Sequence, residues 1–278
     1  MAEGDEQMLG DKKVAIVGLG KIGGALALGL IQSGAVQREN VVGSTAHRES
    51  ADRAAERFGI RTYLDNAAMV TGRDIVILAI KPQRMARVLE EIREAITEDQ
   101  LVITIAAAIT CGFVEGHLSK EVPVIRAMPN TPCLINRGMT VLCPGRYARE
   151  PDVKLAEGIF GAVGLVEVID DEELMDAVTG LSGSGPAYAY VMVEALAEGG
   201  VKMGLPRRLA TTLAAQSLLG GAGMVLATDE HPAKLKDMVT TPAGVTIDGL
   251  TKLEEGGLRV ALIKAVVEAA ERSKELSR

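Results

Sequence analysis

At 278 residues the chain has room for about two domains. It is 47% hydrophobic but only 3% aromatic, has no tryptophan and carries a net charge of −7, so it offers few stacking platforms for bases and no basic footprint for phosphodiesters. Three widely spaced cysteines (Cys111, Cys133, Cys143) and three histidines argue against a disulfide framework and against a zinc or other metal site, and fit a reducing, cytoplasmic compartment.

Residues 1–12 open on a polar, acidic stretch that reads as a short disordered lead, neither a secretory signal nor a transit peptide. From 13 to 169 strand and helix signals alternate. Strands are expected at 14–17, 41–44, 75–80, 101–106, 122–127, 139–143 and 163–169. Helices are expected at 22–33, 50–58, 83–96 and 152–160. Such alternation predicts an α/β domain with a parallel-rich sheet covered on both faces, and the early strands are apolar nearly throughout, as doubly buried strands are. From 170 to 278 only helices are expected, at 172–179, 187–203, 207–227, 232–238, 246–255 and 258–276. Several are apolar on most faces. About a hundred residues bury that much poorly alone, so a homodimer or a larger oligomer of dimers is expected. The uncharged run 209–228 is long enough to span a bilayer, but Thr211, Thr212, Gln216, Ser217 and three glycines make it a helix between protein layers, and no membrane partner is expected.

Gly18, Gly20 and Gly23 stand as G-x-G-x-x-G after the first strand, with Lys21 and Ile22 opening the helix. The first glycine allows a tight turn, the second lets backbone approach a pyrophosphate, and the third lets helix meet sheet. The second strand ends at Ser44 and Thr45, followed by Arg48, with no carboxylate before Glu49. Hydroxyls and a cation suit a 2′-phosphate, so NADP is favoured and NAD remains possible; alternatively Arg48 is a solvated helix-start residue. Ala79 and Lys81 precede Pro82 at the end of another strand, where Lys81 either approaches the cofactor or faces solvent. Ala106, Ala107 and Ala108 give small side chains after the next strand, for a flat nicotinamide or ribose or for helix packing. Asn130 lies between Pro129 and Pro132 in a rigid loop and either points its amide into a cleft or serves a structural turn. Ser182 to Tyr188 is a Gly-Ser-Gly-Pro helix entry, a plain cap or a ligand contact. Near the C-terminus, Pro242, Ala243 and Gly244 form a tight turn before Thr246, a way to aim N–H groups at a small carboxylate without an arginine.

With these motifs the chain resembles the pyrroline-5-carboxylate reductase family over nearly its whole length after about residue 12. The resemblance is carried by Gly18 to Gly23, Lys81 with Pro82, Met128 to Pro132, Gly183 to Tyr188, Glu194 to Pro206 and, most specifically, Val239 to Leu250. Thr241, Ala243 and Val245 stand where many members have Ser, Gly, and Thr or Ala. Ala243 disfavours a left-handed backbone at that point. The resemblance implies a Rossmann-type dinucleotide-binding domain over 13–169 and a helical substrate and dimerisation domain over 170–278. It implies hydride transfer from NADPH or NADH to the C=N carbon of L-1-pyrroline-5-carboxylate, giving L-proline. It places Ser44, Asn66, Lys81, Ala106 and Ala107 at the cofactor, Asn130 near the nicotinamide, and Thr241, Gly244, Val245 and Thr246 at the substrate, with Thr246 as the catalytic hydroxyl. The competing readings are a related imine or β-hydroxy-acid reductase and a dinucleotide sensor without turnover. The β-hydroxy-acid class would use a lysine in the first long C-terminal helix, and 187–196 contains none.

Overall fold

Val, Ile and Leu fill the central strands on both faces, and the sheet they build is the spine of the N-terminal part. The structure, a computed structural model, describes residues 9–276. The strands are β1 (Val14–Val17), β2 (Val41–Ser44), β3 (Arg61–Tyr63), β4 (Ile75–Leu78), β5 (Leu101–Thr104), β6 (Val124–Pro129), β7 (Gly138–Pro144) and β8 (Gly164–Val168). Their order across the sheet is β3-β2-β1-β4-β5-β6-β7-β8. All neighbours run parallel except β6 and β7. The period of two splits the core: Ile16, Ile77 and Ile103 pack on one face with Leu26, Leu30 and Phe160. Val17, Val76 and Val102 pack on the other with Met69, Met85 and Leu89.

The helices of this part are α1 (Lys21–Gln32), α2 (Arg48–Phe58), α3 (Asn66–Val70), α4 (Met85–Ile92), α5 (Cys111–His117), α6 (Glu150–Gly161) and α7 (Met175–Val178). A π-helical segment, Thr179–Gly183, follows. Then come α8 (Gly185–Lys202), α9 (Arg207–Thr228), α10 (Pro232–Met238), α11 (Val245–Glu255) and α12 (Leu258–Leu276). The chain divides into two compact units, one reaching Gly183 and regaining the stretch from Ala269, the other Ser184–Glu268. In the first unit Ser273, near the end of α12, donates to Asp176 at 2.6 Å. In the second, α8 and α9 share a core of Ala197, Ala210 and Ala214, while Leu213, Leu219 and Leu226 stay exposed. Arg207–Thr228 is also long and apolar enough to cross a membrane.

Several expected bounds shift for local reasons. The strand expected at 122–127 runs Val124–Pro129, because Pro123 has no N–H to give the ladder. Its carbonyl still accepts from Val102 N–H at 2.9 Å. The strand expected to reach 106 ends at Thr104, and Ala108 then turns the chain at φ +64°. The helix expected over 83–96 is a 3-10 turn, Pro82–Arg84, followed by α4. Glu172–Leu174, α7 and the π segment replace the single helix expected over 172–179. Two short helices were not anticipated, α3 and α5, although their caps are in the sequence: Asp65 accepts from Ala68 N–H and Thr110 from Phe113 N–H. Edge strand β3 was also missed; at three residues it is too short to show alternation. The disordered lead expected over 1–12 lies outside the described residues as far as 8. From Leu9 onward it is corrected: Leu9 is buried in the core and its carbonyl accepts from Lys12 N–H at 2.9 Å.

Arg126 of β6 is buried, and its Nη1 donates to Glu172 Oε1 at 3.2 Å. The same oxygen accepts Cys111 N–H at 2.9 Å, tying α5 to the segment that leads toward α7. Arg126 Nη2 is buried without a partner, so Glu172 carries the compensation for this charge. Glu172→Ala is expected to lower unfolding free energy by about 3 kcal/mol, the low end for breaking a buried pair. Urea unfolding at fixed protomer concentration measures it, and a loss under about 0.5 kcal/mol contradicts the role given to this pair.

Candidate functional site

Parallel strands that end together leave their following loops on one edge of the sheet. At the point where the order reverses, β1 lies between β2 and β4, and the loops after these strands part to opposite sides. The turn after β1 is built from glycine. Gly18 has φ +99°, and a Cβ there would lie 2.6 Å from the Ala79 carbonyl oxygen after β4. A Cβ at Gly23 would lie 2.2 Å from Gly18 O. A Cβ at Gly20 meets nothing within 4 Å, so this glycine faces open space. Gly18 and Leu19 N–H both donate to Ser44 O, at 3.2 and 2.9 Å, which pins the turn to the end of β2. Gly20 is the N-cap of α1, with no side-chain cap and no acid in the first turn. The first N–H groups of that helix, starting with Lys21, Ile22 and Gly23, are therefore available to an anion.

The end of β2 is more internally bonded than its sequence suggests. Ser44 is 3% exposed and its hydroxyl donates to Asn66 Oδ1 at 2.7 Å. Asn66 Nδ2 donates to Glu91 Oε2 at 2.9 Å, and Arg87 Nε donates to Glu91 Oε1 at 3.0 Å. Thr45 Oγ1 donates to His47 O at 3.0 Å. Arg48 opens α2 with an exposed side chain, its Nε 3.9 Å from Asp52 Oδ1. Ala79 N–H donates to Val17 O at 2.9 Å. Lys81 is exposed and caps the 3-10 turn that Pro82 opens. Ala106 is buried and Ala107 half-buried after β5, beside the positive-φ Ala108. Asn130 follows β6, and its amide is engaged at both ends. Its Nδ2 donates to Ser182 O at 3.1 Å, and its Oδ1 accepts Met139 N–H at 2.9 Å. The double-proline loop is thus fastened to β7 and to the π-helical segment, within the structural alternative for this loop.

The residues expected at the cofactor, Gly18 through Asn130, accordingly gather in the first unit after β1, β2, β4, β5 and β6, with Asn66 on α3. Those expected at the substrate gather in the second. There Gly244 N–H donates to Thr241 O at 3.0 Å, closing a four-residue turn with Pro242 second and Ala243 third. Ala243 has φ +54°, which corrects the expectation that alanine disfavours a left-handed backbone here. The turn is of the proline-second, positive-φ-third kind. An alanine held there costs roughly 1–2 kcal/mol, so its surroundings must impose the conformation. A Cβ on Gly244 would come within 2.3 Å of Thr241 Oγ1. Gly244 is the N-cap of α11 and gives it no side-chain cap, so the N–H groups from Val245 and Thr246 onward start an open helix. Sequence reasoning missed Glu91 and Leu19. The signal for Glu91 was its i,i+4 spacing from Arg87, which reads equally as a surface pair.

All three cysteines are buried and free. Burial, reinforced by the negative charge of Glu172, pushes the Cys143 thiol up to about 11. Burial likewise raises Cys133. Cys111 is raised far above the usual thiol range by burial first and by Glu172 next. At pH 8 thiolate is scarce at each, which leaves no cysteine poised as a nucleophile. Iodoacetamide at pH 8 is expected to leave the folded protein unmodified over an hour and to label all three sites once it is unfolded. Stoichiometric labelling of the native protein, read by intact mass, contradicts this.

Two family models match separate stretches of the chain. Residues 172–276 match the family described as pyrroline-5-carboxylate reductase dimerisation, and residues 13–108 match NADP oxidoreductase, coenzyme F420-dependent. The pyrroline-5-carboxylate reductase of Methanosarcina acetivorans is 45% identical over 268 residues, 96% of this chain and 99% of that one. Among solved structures, that from Coxiella burnetii has a TM-score of 0.89 at 34% identity, covering 96% of this chain and 99% of the other. The Plasmodium falciparum pyrroline carboxylate reductase, solved with NADP bound, has a TM-score of 0.87 at 31% identity and covers 97% of this chain and 100% of the other. With near-complete coverage at this identity, the chain belongs to the pyrroline-5-carboxylate reductase family.

Proposed function

We propose that this protein reduces L-1-pyrroline-5-carboxylate to L-proline with NADPH, and accepts NADH. The observation that carries the reading within the molecule is the uncapped start of α11 at Gly244, a backbone site for a small carboxylate next to a single hydroxyl, Thr246. Family membership supplies the substrate, and the glycine turn after β1 supports the dinucleotide. Gly20 leaves room where a side chain would block a pyrophosphate, and the α1 N-terminus would hold its charge. Ser44, Thr45, Arg48 and Asn66 would meet the adenine-side ribose and its 2′-phosphate, and Ala79, Lys81, Ala106 and Ala107 would border the rest. Asn130 would act there by fastening its loop. When bound, the nicotinamide supplies the hydride.

A cyclic iminium carbon is electrophilic without a strong acid, so the chain's own task is largely positioning. Gly244, whose own N–H closes the turn on Thr241 O, leaves the N–H groups of Val245 and Thr246, with the Thr241 hydroxyl close by, to hold the carboxylate. The Thr246 hydroxyl would bond the ring nitrogen, accepting from the iminium N–H and keeping that bond as the nitrogen becomes an amine. Exposed leucines on α9 and an alanine core between α8 and α9 support a homodimer or an oligomer of dimers, in which a second copy rather than a membrane covers this face. The acidic charge and three free cysteines suit a cytoplasmic enzyme with no nucleic-acid partner.

NADPH oxidation with pyrroline-5-carboxylate, set against keto acids and other imines, tests the substrate assignment. Thr246→Val keeps shape and removes the hydrogen bond. Its turnover is expected to fall about ten- to a hundredfold with fold and dinucleotide affinity intact. Wild-type kcat and KM in this variant would remove Thr246 from the chemistry.

A further inference from the structure

The hydrogen bonds at the end of β2 have a direction that one residue dictates. A carboxylate only accepts, so Glu91 must face the NH₂ of Asn66, and it does so at 2.9 Å. The amide oxygen of Asn66 then faces Ser44, and the buried Ser44 hydroxyl must spend its hydrogen on it, at 2.7 Å. Arg87, bonded to the other Glu91 oxygen at 3.0 Å, holds the carboxylate in place on α4. Toward a ligand, Ser44 is left with lone pairs. A ribose 2′-hydroxyl can donate to them. A 2′-phosphate cannot, because at neutral pH it is an acceptor and meets an acceptor.

We infer that Glu91 is a positioning residue for cofactor choice: through Asn66 it makes Ser44 a hydrogen-bond acceptor and so holds back binding of the 2′-phosphorylated dinucleotide. This rests on the dinucleotide reading of the first unit. Glu91 touches neither cofactor nor substrate in this account. It acts on a side chain that does. Its effect is to narrow the gap between NADPH and NADH, with Arg48 and the backbone left to favour the phosphate.

Glu91→Gln tests it. The glutamine amide can both donate and accept, so it satisfies Asn66 in either orientation and frees the Ser44 hydroxyl to donate. Dissociation constants for NADPH and NADH are measured by fluorescence titration without substrate, at 0.05 M and 0.5 M NaCl. NADPH is expected to bind about three- to tenfold tighter to the variant than to the wild type, the worth of one hydrogen bond. NADH is expected to change less than about twofold, since its 2′-hydroxyl can donate or accept. The gain is expected to persist at 0.5 M NaCl, where exposed charges are screened. An unchanged NADPH-to-NADH ratio, or equal weakening of both, overturns the inference. A gain that vanishes at high salt also overturns it, because the carboxylate would then act through charge alone. A wild-type protein that binds neither dinucleotide overturns the site reading itself, an outcome distinct from these.

Discussion

An uncapped helix start is a charged site made of backbone, and among the described helices that start without a side-chain cap, α1 and α11 do so on a glycine. Gly20 opens α1 and Gly244 opens α11, and neither supplies a side-chain oxygen to the first-turn N–H groups. Elsewhere Asp65 and Thr110 fill that role for α3 and α5. Four N–H groups without intrahelical partners, carrying about half a positive charge, attract an anion without the desolvation that a buried lysine or arginine would cost. The glycines matter because any Cβ would either fill the space or strike the turn that forms the opening, as the 2.3 Å approach to Thr241 Oγ1 shows for Gly244. In the functional account one opening takes the pyrophosphate and the other takes the substrate carboxylate.

That economy explains why no acid–base constellation stands out in the sequence. Reduction of an iminium asks for a hydride, a held carbon and one hydrogen bond to nitrogen. The strain at Ala243 belongs to the same design, because a left-handed residue is what turns Gly244 and the start of α11 into line. The two interior compromises of the first unit, buried Arg126 and the Ser44–Asn66–Glu91 chain, are both resolved by carboxylates at least partly in contact with solvent. Each lets a helix be fastened to the sheet without closing a fully desolvated ion pair.

Much of this was legible in the residues. Apolar four-residue runs such as 14–17 and 75–78 declare doubly buried strands, and glycine spacing declares the first turn. The helices α8 to α12 were visible because proline or glycine stands at most of their junctions. What stayed hidden depends on tertiary contact. Strand β3 has too few residues to alternate, α3 and α5 are too short to show a 3.6 period, and the π segment follows contacts made far away in sequence. At the site, the residue identities were readable but their bonding was not. Nothing local says that the Ser44 hydroxyl is spent on Asn66, that Asn130 is tied at both ends, or that an alanine sits at φ +54°.

The central claim is that the start of α11 recognises the substrate through its carboxylate. Steady-state kinetics with 1-pyrroline, the same cyclic imine without that group, tests it most directly against pyrroline-5-carboxylate at saturating NADPH. Loss of two charge-assisted hydrogen bonds predicts a kcat/KM lower by at least about a hundredfold, with dinucleotide affinity unchanged. Equal kcat/KM for the two imines would contradict the account.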